Sequence, residues 1–170
     1  MFARQSFVAL AFALSALLSG RHAIAATNSQ PEMSLTLSSS QSVMKAGGPV
    51  LLTVTVKNIS DHVVGVEENR ASMQEINYRV TVLDKSGKEA STTALHRMLR
   101  GKPSEGDPVS VFNSSELLIP LDPGKTLTDP IDLSKLYSLS PGTYSVQVER
   151  TFDSQQTPVQ SNTLTITVNP

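Results

Sequence analysis

The sequence predicts an all-β chain folded as an antiparallel β-sandwich of about seven to nine strands, on three observations. Apolar and polar residues alternate over short stretches, most clearly at 50–57. There Val50, Leu52, Val54 and Val56 share one face, and Leu51, Thr53, Thr55 and Lys57 share the other. Turn signals separate these stretches: Gly47-Gly48-Pro49, Asn58-Ile59-Ser60-Asp61, Asp84-Lys85-Ser86-Gly87, Pro120-Leu121-Asp122-Pro123-Gly124 and Pro141-Gly142. Serine and threonine interleave with Val, Leu and Ile, a mixture suited to a pleated, half-buried surface.

The elements follow in order. Residues 33–38 alternate and form a first strand, 50–57 a second and 63–66 a third. The polar stretch 67–75 is a loop with a helical turn. Ile76, Tyr78, Val80 and Val82 share a face, and the tight turn at 84–87 folds 88–93 back as a returning strand. Ala94, Leu95, Met98 and Leu99 have helical spacing in a segment too short to settle. Two glycines and two prolines among charged residues make 101–108 a surface loop. Segments 109–112 and 116–119 form a strand pair or one interrupted strand. Residues 127–133 are extended, with Pro130 marking an edge or a bend. A single helical turn at 132–137 leads into the strand that carries Tyr144, Val146, Val148 and Arg150 on one face as far as Phe152. A polar loop at 153–158 precedes the last strand, built on Leu164, Ile166 and Val168.

Residues 1–25 read as a cleaved secretory signal. Arg4 supplies positive charge, 7–18 is an apolar run broken only by Ser15, and Ala23-Ile24-Ala25 presents small residues at the cleavage positions. That run is too short to anchor in a bilayer, so no transmembrane segment is expected after cleavage. A flexible leader at 26–32 then precedes one domain at 33–169. The absence of cysteine excludes disulfides, thiolate metal sites and cysteine nucleophiles together. Export without disulfides points to a bacterial envelope, periplasmic or secreted. A net charge of −1 argues against nucleic acid, which requires a basic face. The lack of tryptophan argues against a sugar-binding platform.

The runs Asp132-Leu133-Ser134-Lys135-Leu136-Tyr137 and Leu139-Ser140-Pro141-Gly142-Thr143-Tyr144 resemble the tyrosine-corner region of immunoglobulin-like domains in exported bacterial proteins. A similar run occurs in the non-catalytic N-terminal region of deuterolysin-type metallopeptidases. The first half, from Gly47-Gly48-Pro49-Val50 through Lys57-Asn58-Ile59-Ser60, is similar to the opening strands of intracellular proteinase inhibitors of bacilli. The resemblance implies an immunoglobulin-like sandwich in which Gly142 and Tyr144 form a structural corner, the tyrosine hydroxyl tied to nearby backbone. Val146 stands where an antibody-type domain has its second cysteine, so a plain hydrophobic core without the pinning disulfide is expected. No His-Glu-x-x-His run exists, and peptidase activity is not implied.

No catalytic constellation emerges. Serines are abundant, but no Gly-x-Ser-x-Gly elbow occurs, and His62 and His96 read as surface or loop histidines. Asp122, Asp129, Asp132 and Asp153 sit in turns, where aspartate caps backbone amides. Calcium needs six to eight oxygen ligands, and these aspartates lack a recognisable ligand spacing. No metal and no cofactor are expected. Positive charge concentrates at Arg97, Arg100 and Lys102 beside the 101–108 loop, the candidate partner-binding site; its alternative is a solvated face balanced by Glu105 and Asp107. The expectation is a non-catalytic exported module, no enzyme, that binds another protein or an envelope polymer through loops or a strand edge. The alternative is a proteinase inhibitor presenting the 101–108 loop, with Lys102 before Pro103.

Overall fold

A computed structural model describes residues 31–69, 74–107 and 116–170 of the protein. The expected signal, most of the leader and the 109–112 strand lie outside the described residues. The strands are β1 (Met33–Ser38), β2 (Val43–Lys45), β3 (Leu51–Asn58), β4 (Val64–Asn69), β5 (Arg79–Asp84), β6 (Ser91–Thr92), β7 (Glu116–Leu121), β8 (Thr126–Asp132), β9 (Tyr137–Ser138), β10 (Gly142–Phe152), β11 (Gln155–Gln160) and β12 (Leu164–Asn169). Two short helices interrupt them, α1 (Ala94–Leu99) and α2 (Leu133–Leu136), with a 3-10 turn at Gln74–Asn77.

One sheet runs β1-β3-β8, all antiparallel. In the other, β10 is central. β5 flanks one side of it, and β11 and β12 follow each other along the opposite side, with β2 parallel to β12 at the rim. The chain crosses between sheets from β3 to β5 and from β8 to β10, which is the immunoglobulin-like division of strands. Two antiparallel ribbons, β4–β7 and β6–β9, are appended.

Alternation sets the core. Leu52, Val54 and Val56 from β3 are fully buried, as are Val80 and Val82 from β5, Val146 and Val148 from β10, and Ile166 from β12. Each such side chain contributes about 1.5–3 kcal/mol by leaving water. β8 pairs with β3 alone, so Pro130 occupies an edge as its missing N–H requires. The Tyr144 ring is 9% exposed, and its hydroxyl donates to the Ser140 carbonyl at 2.9 Å. Gly142 has no positive φ, and a Cβ there would meet the Tyr144 ring at an ordinary 3.6 Å. The hydroxyl thus bonds backbone four residues upstream, and Gly142 is the first residue of β10.

Three expectations need correction. The 153–158 segment is a hairpin rather than a loop: Asp153 and Ser154 turn the chain, and β11 returns along β10 with Phe152 opposite Gln155. The returning strand after Gly87 is brief. It bridges Leu83 to Glu89 and gives the Ala90 amide to the Val82 carbonyl at 2.9 Å, then leaves to form β6 against β9. Residues 43–45 add an unexpected parallel strand beside β12.

Candidate functional site

α1 is six residues long, and its position is fixed by its ends. Thr93 is the N-cap, with Oγ1 accepting from the His96 amide at 3.2 Å and donating to the Lys135 carbonyl at 2.7 Å. At the other end Gly101 takes φ +63°. The Gly101 amide bonds the Met98 carbonyl at 3.0 Å, and the Lys102 amide bonds the Arg97 carbonyl at 2.8 Å. This crossed pair of bonds closes the helix only where the residue after the cap reaches the left-handed region.

So placed, α1 lies beside the outward face of β5 and leaves a depression of 710 Å³ between them. Arg79, Arg97, Arg100 and Lys102 converge on it, opposed within the lining by Glu89. The structure thus brings the three sequence-predicted cations to one groove and adds Arg79. Their commitments differ. The Arg97 fork grips Asp107 through Nε at 2.9 Å and Nη2 at 2.5 Å, and Nη1 donates to the Thr92 carbonyl at 2.9 Å. That grip holds the Asp107 carboxyl below the usual carboxylate range. Arg79 stands 3.9 Å from Glu149. Arg100 donates to the Val80 carbonyl at 2.6 Å. Neither Arg100 nor Lys102 makes an ion pair among the described residues.

His96 anchors the groove from behind. It is 6% exposed, so the expectation of a surface histidine is corrected here. Its Nε2 lies 3.1 Å from Tyr137 Oη and 3.4 Å from Arg100 Nε. Tyr137 Oη also stands 2.9 Å from the Val80 carbonyl and 3.0 Å from Glu89 Oε1. Burial, and then the Arg100 charge, push the imidazole below its ordinary value, keeping it neutral at pH 7. Burial and the Glu89 carboxylate push the Tyr137 hydroxyl up, so it remains a phenol. His62, by contrast, is exposed beside Asp61 at 3.1 Å.

A second depression of 470 Å³ opens on the far side of α1, toward β10 and β11. Deeper in, Arg150 is 6% exposed, with Nη1 2.7 Å from Glu68 Oε1 and 3.9 Å from Asp129 Oδ2. Tyr78 donates to Asp129, and its ring lies 5.3 Å from the guanidinium carbon. Asp132 caps α2 through the Ser134 amide at 3.0 Å and accepts from the Val50 amide at 3.0 Å. Of the aspartates considered for calcium, Asp129 and Asp132 therefore serve separate structural bonds. No cluster of three metal-ligating side chains forms among the described residues.

The sequence reading missed Arg79 and the burial of His96. The alternation of Tyr78, Val80 and Val82 carried the first signal, because it places Arg79 and Thr81 on the opposite, outward face.

No protein-family model and no curated protein match the chain. Among solved structures it is similar to a CARDB domain of Pyrococcus furiosus determined in complex with di-metal ions. The identity is 11% and the TM-score 0.42, over 81% of this chain and 93% of that one. It is also similar to a β-glucosidase of Listeria innocua in complex with glucose, at 17% identity and TM-score 0.41, over 82% of this chain and 16% of the enzyme. A family 123 glycoside hydrolase of Clostridium perfringens shows 13% identity and TM-score 0.37, over 82% of this chain and 27% of that one. Enzymes thus stand among the similar structures, and the expectation that the chain is no enzyme is withdrawn. The fold by itself assigns no activity.

Proposed function

We propose that the chain is an exported module of the bacterial cell envelope that holds an acidic macromolecular partner in the groove between α1 and β5. One observation carries this reading: Arg100 and Lys102 line a 710 Å³ depression without a carboxylate partner among the described residues. Four cations against the single carboxylate of Glu89 leave the lining net positive, and such a cleft focuses its field on ligands of the other sign. The groove is favoured over the strand edges because those edges are partly occupied. The outer carbonyls of β5 accept from Arg100, Tyr137 and Ala90, and β1 is bonded by Asn162. The test is recovery of a partner from native envelope extract with wild-type protein and with a Arg79→Glu, Lys102→Glu double variant. The reading expects the partner to be lost in the variant and released by salt. Recovery that ignores both changes would sink it.

A braced loop favours a second reading, proteinase inhibition. Asp107 Oδ2 accepts from the Ser104 amide at 2.7 Å while its carboxylate is held by Arg97, leaving Lys102 and Pro103 exposed on a fixed backbone. Restraint of this kind lowers the entropic cost of entering a protease cleft. Protein that fails to slow a panel of serine and metallo-proteases removes this reading.

A further inference from the structure

The two depressions flanking α1 share Arg79, His96, Leu99 and Arg100 in their linings, so they are neighbours with Arg100 common to both. Each alone is of small-ligand size, 710 and 470 Å³. Together they exceed the roughly 300–1,000 Å³ of a typical small-molecule site. Their chemistries differ. The first presents Arg97, Arg100 and Lys102 against Glu89. In the second, Arg150 is held by Glu68, Arg79 stands by Glu149 and Glu75 is held by Lys135, so the charges are largely balanced, and the exposed Thr151 hydroxyl shares the lining with Ile76 and Pro158. An extended peptide carries backbone donors and acceptors along its whole length, and a neutral hydroxyl matches them. Tyr78, the tyrosine in the lining of these depressions, is buried and offers no flat face on which a sugar ring could stack.

We propose that the occupant is an extended peptide whose acidic end lies along α1 and whose uncharged end crosses Arg100 toward β10 and β11. This rests on the groove reading above and adds the ligand's form, polarity and path. The experiment titrates the protein at low salt with tetraglutamate and with tetraglutamate extended by six Gly, Ser and Thr residues at one end or the other. The extension adds no side-chain charge. The proposal expects one of the two extended peptides to bind about tenfold tighter than tetraglutamate, as when a second contact is tethered to a first. Thr151→Trp, which fills the far depression, brings that peptide back to the affinity of tetraglutamate. Equal affinity for all three peptides overturns the path across Arg100 and leaves the groove intact. An oligogalacturonate that binds as tightly as the extended peptide overturns the choice of peptide over acidic glycan. Failure of every acidic ligand to bind overturns the groove reading itself.

Discussion

Arg150 shows how much one buried charge organises. Its guanidinium is 5.3 Å from the Tyr78 ring and 5.1 Å from the Phe152 ring, and it bonds Glu68 and the Glu67 carbonyl. It thereby ties β10 to the β4–β7 ribbon and, through Asp129, to the opposite sheet. Burial and the bond to Asp129 push the Tyr78 hydroxyl up, so the phenol stays protonated and donates. Arg150→Ala leaves the Glu68 and Asp129 carboxylates buried without their guanidinium, which costs about 3–5 kcal/mol. Urea denaturation at neutral pH measures it, and a loss under about 1 kcal/mol would mean that the cluster is solvated. The alternation of Tyr144, Val146 and Val148 showed that Arg150 points inward. Its partners were not legible, because Glu68 lies 82 residues away on a separate ribbon.

Among elements, β1 depends on a side chain that imitates a strand. Asn162 accepts from the Leu37 amide at 2.8 Å and donates to the Leu37 carbonyl at 3.0 Å, closing an edge that β3 leaves open. It can do so because the chain is irregular between β11 and β12, where the Ser161 hydroxyl accepts from the Val148 amide at 3.1 Å. Asn162→Ala removes two hydrogen bonds, a loss of about 2 kcal/mol at the usual 1 kcal/mol each. Hydrogen exchange at the Leu37 amide should quicken more than at the Val54 amide. Equal protection of Leu37 in both proteins would show that the clamp is idle. Sequence periodicity could not find β11, because Gln155-Gln156-Thr157-Pro158-Val159-Gln160 carries no apolar alternation. Pairing with β10 alone makes it a strand.

At the scale of the molecule, the groove and the stability of the sandwich meet at His96. Tyr137, Glu89, Arg97 and Arg100 surround the imidazole; the arginines and burial oppose its protonation, and Glu89 favours it. A histidine whose folded value lies below its ordinary 6.5 binds fewer protons than in the unfolded chain. Its contribution is therefore fully present above that pH and falls as the pH drops below it. Melting temperature should decline between pH 7 and pH 5, and His96→Gln should flatten that slope. A slope unchanged in the variant would assign the pH dependence to other groups.

Alternation, turn residues and Pro130 by themselves determined a sandwich and its inward faces, because side-chain period and turn chemistry are local properties of the chain. The same local signals placed Arg97, Arg100 and Lys102 side by side. Tertiary structure alone decided what each of those charges meets. Asp107 neutralises Arg97 across a turn, the Val80 carbonyl holds Arg100 against a strand 20 residues away, and Arg79 joins the groove only because β5 packs beside α1. Charge pairing depends on distances in space, and those are set once the apolar faces have closed on each other.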